Sequence, residues 1–200
     1  PIENDLATLD TLYAAGIRMG GLAHFFDNEV AGSAHGAEKY GLTDLGRETI
    51  KRMEALHIIV DLAHTSPAAI EETLDMATRP VVISHTGVKG TCGGNRNLSD
   101  AQLMRLKENG ALIGIGYFDG AVCGTSPKHI VDAMIYTINL IGVDHVALGS
   151  DFDGTVHTDF DTSGVGLVTD ELRARGLSEP DIAKVMGLNA QRFFLANLPD

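Results

Sequence analysis

The stretch Ile58–Ser66, IIVDLAHTS, decides the reading of this chain. Three apolar residues run into Asp61, two more lead to His64, and Ser66-Pro67 then opens a helix. Serine followed by proline is an N-cap with proline at the first helical position, and Glu71 and Glu72 follow early, where a helix dipole favours acids. An apolar run this short, with helices on both sides, reads as a strand of a parallel sheet buried on both faces. Such a strand should not end on a histidine unless its carboxyl end faces something polar.

The same pattern extends outward in both directions. Upstream, Thr43–Leu56 reads as a helix with Leu45, Ile50 and Met53 on one face. Before it lie a polar, glycine-bearing loop from Phe25 to Leu42, the strand IRMGGLAH, and a helix with Leu6, Leu9 and Leu12 that Gly16 stops. Downstream, the strand RPVVISH is followed by the loop TGVKGTCGGNRNL. Ser99-Asp100-Ala101-Gln102 has the capping-box spacing and starts a helix closed by Gly110. Then come ALIGIGYF, a helix capped by Ser126-Pro127 and closed by Gly142, the strand HVALGSD, and two helices, the last capped near Ser178. Helix and strand alternate through five strands, near residues 17–23, 57–63, 80–84, 111–117 and 145–150, which predicts an α/β fold with a parallel sheet. No linker, repeat or low-complexity segment interrupts residues 1–200, so they read as one domain.

Composition narrows the function. The 200 residues are 44% hydrophobic, enough for one sizeable core. A formal charge of −12, with only 15 basic residues and no basic tract, excludes a nucleic-acid surface. No apolar run approaches the roughly 20 residues of a membrane span. Cys92 and Cys123 are the only cysteines; they make no disulfide framework and lack CxxC spacing, so a reducing, cytoplasmic setting is the default. The first residues, PIENDLATLD, read as the interior of a protein rather than a leader.

In parallel α/β folds, ligands bind at the carboxyl ends of the strands. Four of the five strands end on an ionisable residue: His24, His64, His85 and Asp151. They form no local motif, since successive βα units separate them, and it is the fold that brings them to one rim. A lone strand-end histidine is most simply a satisfied buried hydrogen bond. Three histidines and an aspartate at equivalent ends point instead to a divalent metal such as zinc. Asp61 either orients a ligand histidine or has a helix-capping or surface role. His57 and His145 start strands at the opposite rim, His35 and His157 lie in loops, and His129 begins a helix; these read as structural or solvated. Arg96, in the glycine-rich loop after the His85 strand, suits bidentate binding of a carboxylate. GTCGG matches neither the P-loop nor the dinucleotide fingerprint, DFDG lacks the later ligands of a calcium loop, and no GxSxG elbow is present.

Taken together, GIRMGGLAH, GLTDLGRETIKRMEALHIIVDLAH, RPVVISHTG, NRNLSD, HVALGSDFDG and GLSEPDIAKVMGLNAQRFF resemble the membrane (renal-type) dipeptidase family of metal-dependent amidohydrolases, in the family's order and over essentially the whole chain. The resemblance implies a (β/α)8 TIM-type barrel with two Zn2+ per complete active site, cleaving dipeptides, some with D-residues at the C-terminal position, by a metal-bound hydroxide. By position, it makes His64 and His85 ligands of one zinc. Asp151 becomes the ligand of the other zinc and the group handling the proton of the attacking hydroxide. His24 contacts the substrate carbonyl as it becomes tetrahedral, and Arg96 holds the substrate's terminal carboxylate. At Phe118 the better-known members carry a tyrosine. The family's first-strand HxD pair and its bridging glutamate have no counterpart here. A full barrel also needs about 250 residues. The expectation is therefore about five C-terminal βα units, the C-terminal two-thirds of a dipeptidase barrel, with an N-terminal polypeptide completing it and a homodimer allowed. Two rivals stay open at this stage: a non-catalytic homologue that binds metal or peptide, and another amidohydrolase reaction on the same barrel.

Overall fold

In a computed structural model, which describes residues 2–199, five short strands lie in one parallel sheet whose spatial order is their order in the chain. They are β1 (Met19–Gly21), β2 (Ile59–Asp61), β3 (Val82–Thr86), β4 (Leu112–Ile115) and β5 (Val146–Leu148). Met19 pairs with Ile59, Asp61 with Val82, Ile83 with Ile113, and Ile113 with Val146, each parallel. The helices are α1 (Ala7–Ala14), α2 (Asp44–Ala55), α3 (Pro67–Met76), α4 (Asp100–Asn109), α5 (Asp119–Val122), α6 (Pro127–Ile141), α7 (Gly166–Ala174), α8 (Glu179–Ala183) and α9 (Asn189–Asn197). A sheet in which every neighbour is the next strand along the chain, joined through helices, is the topology of consecutive barrel units. β1 and β5 are its ends.

The local signals explain most of these boundaries. The side chains of Thr43, Ser66 and Ser178 accept the amides of Gly46, Ala69 and Asp181. Ser99 and Gln102 close a reciprocal capping box on α4. Gly110 ends that helix at φ +82°, a left-handed turn that costs other residues a clash at Cβ. Ser126 departs from expectation. It makes no side-chain cap, because its hydroxyl instead meets His129 Nδ1 at 2.7 Å. The chain also finishes on three helices rather than two, since a wide turn over Lys184–Leu188, with non-helical Gly187, separates α8 from α9.

Strand alternation splits the apolar residues into two sets. Val60, Ile83, Ile113 and Val146 face the helical layer, where Ile50 and Met53 of α2, Leu103 and Leu106 of α4, and Ile130 and Met134 of α6 are buried with them. Ile59, Val82, Leu112 and Ala147 face the other way and pack against Phe193 of α9. Burying one such Ile or Leu side chain contributes about 1.5–3 kcal/mol. Both faces are therefore committed to packing, which leaves the strand ends as the place for polar chemistry.

Candidate active site

The carboxyl ends of the strands open into a cavity of about 870 Å³. His24, His64, His85, Arg96 and Asp151, all singled out in the sequence, line it together. A smaller cavity of about 530 Å³ lies beside β1 and is walled by apolar residues such as Leu9, Met53 and Ile58. The chemistry belongs to the larger one.

β2 and β3 deliver its centre. Asp61 Oδ1 accepts the amides of Ala63 and Ser84, each at 3.0 Å. Between Ile83 and Thr86 the register on β4 slips, three steps on β3 matching two on β4, so Ser84 and His85 form a bulge. Bulges re-aim side chains, and here His85 turns toward His64. Asp61 thus clamps backbone at the base of the bulge, and no hydrogen bond joins it to a histidine ring among the described residues. Beyond β2, His64 sits at φ +62°, and beyond β5, Asp151 sits at φ +59°. Such conformations cost non-glycine residues on the order of 1–3 kcal/mol and persist only where the surroundings impose them. His64 is held through its carbonyl, which accepts the Ala34 amide at 2.7 Å. Asp151's carbonyl accepts the Gly154 amide at 2.9 Å. Gly154 packs against the Asp151 carboxylate so closely that an added Cβ would stand 2.2 Å from Oδ1.

The result is convergence. His64 Nε2 and His85 Nε2 are 2.9 Å apart, and Asp151 Oδ2 lies 3.8 Å from His85 Nε2. Ser84 Oγ meets His85 Nδ1 at 3.0 Å, while His64 Nδ1 is buried without a partner among the described residues. Burial, then the Arg96 charge, pushes the His64 pKa down to about 3. The same two causes lower that of His85, against the opposing pull of Asp151 and Asp61. Both rings are therefore neutral, the form in which imidazole ligates a metal.

Arg96 reaches over the pair. Its Nη2 donates to the His85 carbonyl at 3.0 Å, its guanidinium stands 5.0 Å from the Phe118 ring centre, and its Nε is buried without a partner among the described residues. Burial lowers its pKa, and Asp151 and Asp61 oppose that. Its loop is pinned on the β4 side: Asn97 Nδ2 donates to the carbonyls of Cys92 and Ala121. Cys92 and Cys123 are joined in a disulfide with Cα atoms 5.4 Å apart. The sequence reading saw no disulfide framework in two cysteines, and this single bond is what it did not anticipate. The pair forms because the loops after β3 and β4 become neighbours. No helix among the described residues is long and apolar enough to cross a membrane.

His24 stands exposed at the cavity edge, its ring centre 4.4 Å from that of His64 and 4.5 Å from that of Phe25. His35, read in the sequence as structural or solvated, also lines the cavity, its ring centre 5.4 Å from that of His64. Its flanking Ser33 and Gly36 were the only local hint of a constrained loop. His145 and His129 are structural as expected, bonded to the Ala111 carbonyl and to Ser126.

These donors fit part of a zinc-type site. Two nitrogens bound to one tetrahedral ion at 2.0–2.1 Å would stand about 3.3 Å apart, close to the 2.9 Å between His64 and His85. No group of three His, Cys, Asp or Glu side chains gathers at ligating distance among the described residues.

Consecutive parallel βα units that present histidines, a carboxylate and an arginine at their carboxyl rim are the arrangement of one wall of a (β/α)-barrel, the fold that carries its site at that rim. The chain belongs to the membrane dipeptidase family (peptidase family M19), whose sequence profile matches residues 1–197. It is 35% identical over 196 residues to an uncharacterized protein in the pqqA 5' region of Klebsiella pneumoniae, covering 90% of this chain and 72% of that one. It is 33% identical to dipeptidase tcpJ of Claviceps purpurea, covering 96% of this chain and 47% of that one. Among solved structures, the probable dipeptidase PvdM from Pseudomonas aeruginosa superposes with a TM-score of 0.92 at 26% identity, over 97% of this chain and 66% of that one. The chain thus spans about half the length of curated dipeptidases such as tcpJ. The family and the barrel class expected from the motifs are both borne out.

Proposed function

We propose that this chain carries the metal- and carboxylate-binding wall of a zinc-dependent dipeptidase site. The observation that carries the reading is the approach of His64 Nε2 and His85 Nε2 to 2.9 Å at the floor of a cavity shared with His24, Arg96 and Asp151. A divalent ion bound there supplies Lewis-acid polarisation of the scissile carbonyl and acidifies a water molecule. His64 and His85 hold that ion as neutral imidazoles. Asp151, 3.8 Å from His85 Nε2, would take up the proton of the attacking water and would help to hold a second ion. His24 donates to the carbonyl oxygen as it gains charge. Arg96 binds the substrate's terminal carboxylate in a fork, with Phe118 as the wall behind the guanidinium. A free carboxylate at one end and a peptide carbonyl a few ångströms away describe a dipeptide, and a D-residue at its C-terminal position belongs to the same proposal.

The test is hydrolysis of alanyl-D-alanine and glycyl-alanine by the full-length natural protein loaded with zinc, together with its metal content. His64→Ala and His85→Ala should each lower bound zinc, and lower kcat/KM beyond the about 10–100-fold cost of changing an outer-shell partner. Full turnover in both variants, or none by the zinc-loaded parent, would overturn the reading.

A further inference from the structure

The loop between β1 and α2 is held far more firmly than its polar, glycine-bearing sequence suggests. The Asp27 carboxylate accepts the amides of Ser33 at 2.8 Å, Glu38 at 2.9 Å and Lys39 at 3.4 Å. Gly36 lies against that carboxylate with no room for a side chain, since an added Cβ would stand 1.9 Å from Oδ1. Ser33 works in both directions: its hydroxyl donates to the His24 carbonyl and accepts the His35 amide at 3.1 Å. The next amide, Ala34, donates to the His64 carbonyl. These bonds fix the segment from Ser33 to Lys39 and tie it to the strand ends that carry His24 and His64; one residue of that segment turns its ring to the cavity.

That residue is His35. Its ring lines the cavity, 4.9 Å from the Phe25 ring and 5.4 Å from the His64 ring. Arg96 lines the same cavity. No hydrogen bond to either ring nitrogen of His35 is found among the described residues. His35 is exposed at the cavity mouth, while the backbone on both sides of it is buried. A ring whose backbone is fixed in advance, and whose nitrogens make no protein hydrogen bond in the cavity that Arg96 also lines, is preorganised for a ligand, because part of the ordering cost is met before binding.

We infer that His35 is a second recognition residue for the anionic group that Arg96 binds, donating its ring N–H to the same carboxylate from the β1 side. The inference rests on the dipeptidase reading for the identity of that carboxylate. Selectivity for a free C-terminus is then shared between loops that follow β1 and β3, with the histidine pair between them.

The test uses the full-length zinc-loaded protein with glycyl-alanine and its C-terminal amide. Losing one hydrogen bond to a charged group, His35→Phe should raise KM for the dipeptide about tenfold, lower kcat much less, and barely move KM for the amide. His35→Gln, which keeps a donor, should recover part of the loss. Independently of turnover, the His35 ring Cε1–H NMR signal should shift on adding N-acetyl-D-alanine and stay put with its amide. If KM rises equally for both substrates, if bound zinc falls in His35→Phe, or if the ring signal ignores the carboxylate, His35 has another role. Absence of dipeptide hydrolysis by the parent would sink the dipeptidase reading alone, since the NMR titration still decides the fate of His35.

Discussion

Removing the Asp61 carboxylate should cost this protein more than its half-exposed position suggests. Asp61 Oδ1 accepts two backbone amides, Ala63 and Ser84, both at 3.0 Å. Hydrogen bonds to a charged group contribute about 1.5–3 kcal/mol each, and an amide left without an acceptor costs about 1–3 kcal/mol. Ala63 is buried and Ser84 half-buried, so with this acceptor removed Asp61→Ala should cost about 2–4 kcal/mol. For a chain near this length, 1 kcal/mol moves Tm by roughly 2–4 °C, giving a drop of about 5–15 °C. Asp61→Asn keeps a neutral acceptor and should lose about half as much. Urea unfolding monitored by circular dichroism measures both. Because Ser84 N is the anchor of the bulge that aims His85, Asp61→Ala should also weaken zinc binding, and Asp61→Asn should do so less. Stability within about 0.5 kcal/mol of the parent in Asp61→Ala would refute the clamp, since surface changes without such a role fall in that range.

Arg96→Ala should raise KM for dipeptides about a hundredfold while changing KM for C-terminal amides little, because a bidentate contact is lost only where a carboxylate is present; steady-state kinetics on both substrate types checks this, and equal effects would give Arg96 another role. Cys123→Ser should lower stability by about 3–4 kcal/mol in oxidising buffer, the loop-closure value for a bond spanning 31 residues, and the difference from the parent should vanish in reductant. Ser99→Ala should cost about 1 kcal/mol of unfolding free energy, as the loss of an N-cap does, whereas Ser126→Ala should cost less, because Ser126 caps nothing.

Much of this architecture was legible because it is encoded locally. The capping box at Ser99, the Ser66-Pro67 start, the stop at Gly110 and the apolar strands each depend on residues within a turn or two. The histidines at the strand ends were legible for a different reason: a parallel sheet sends every carboxyl end to the same rim. What escaped depended on pairs distant in the chain. Cys92 and Cys123 meet only because consecutive βα loops lie side by side. His35 reaches the cavity only because Asp27 and Ser33 fold its loop back over His64. Asp61 had two plausible partners, and backbone amides won over an imidazole once Ser84 entered the bulge. Ser126 had the right residue type for a cap, but its hydroxyl is hydrogen-bonded to the His129 ring instead.

The central claim is that His64 and His85 hold one metal ion through their Nε2 atoms. Zinc K-edge X-ray absorption on the full-length zinc-loaded protein, beside His64→Ala and His85→Ala, tests it most directly. The account predicts imidazole scattering with nitrogens at about 2.0–2.1 Å in the parent, and loss of one imidazole from that signal in each variant. An imidazole signal unchanged in both variants, or a zinc shell without imidazole in the parent, would contradict it.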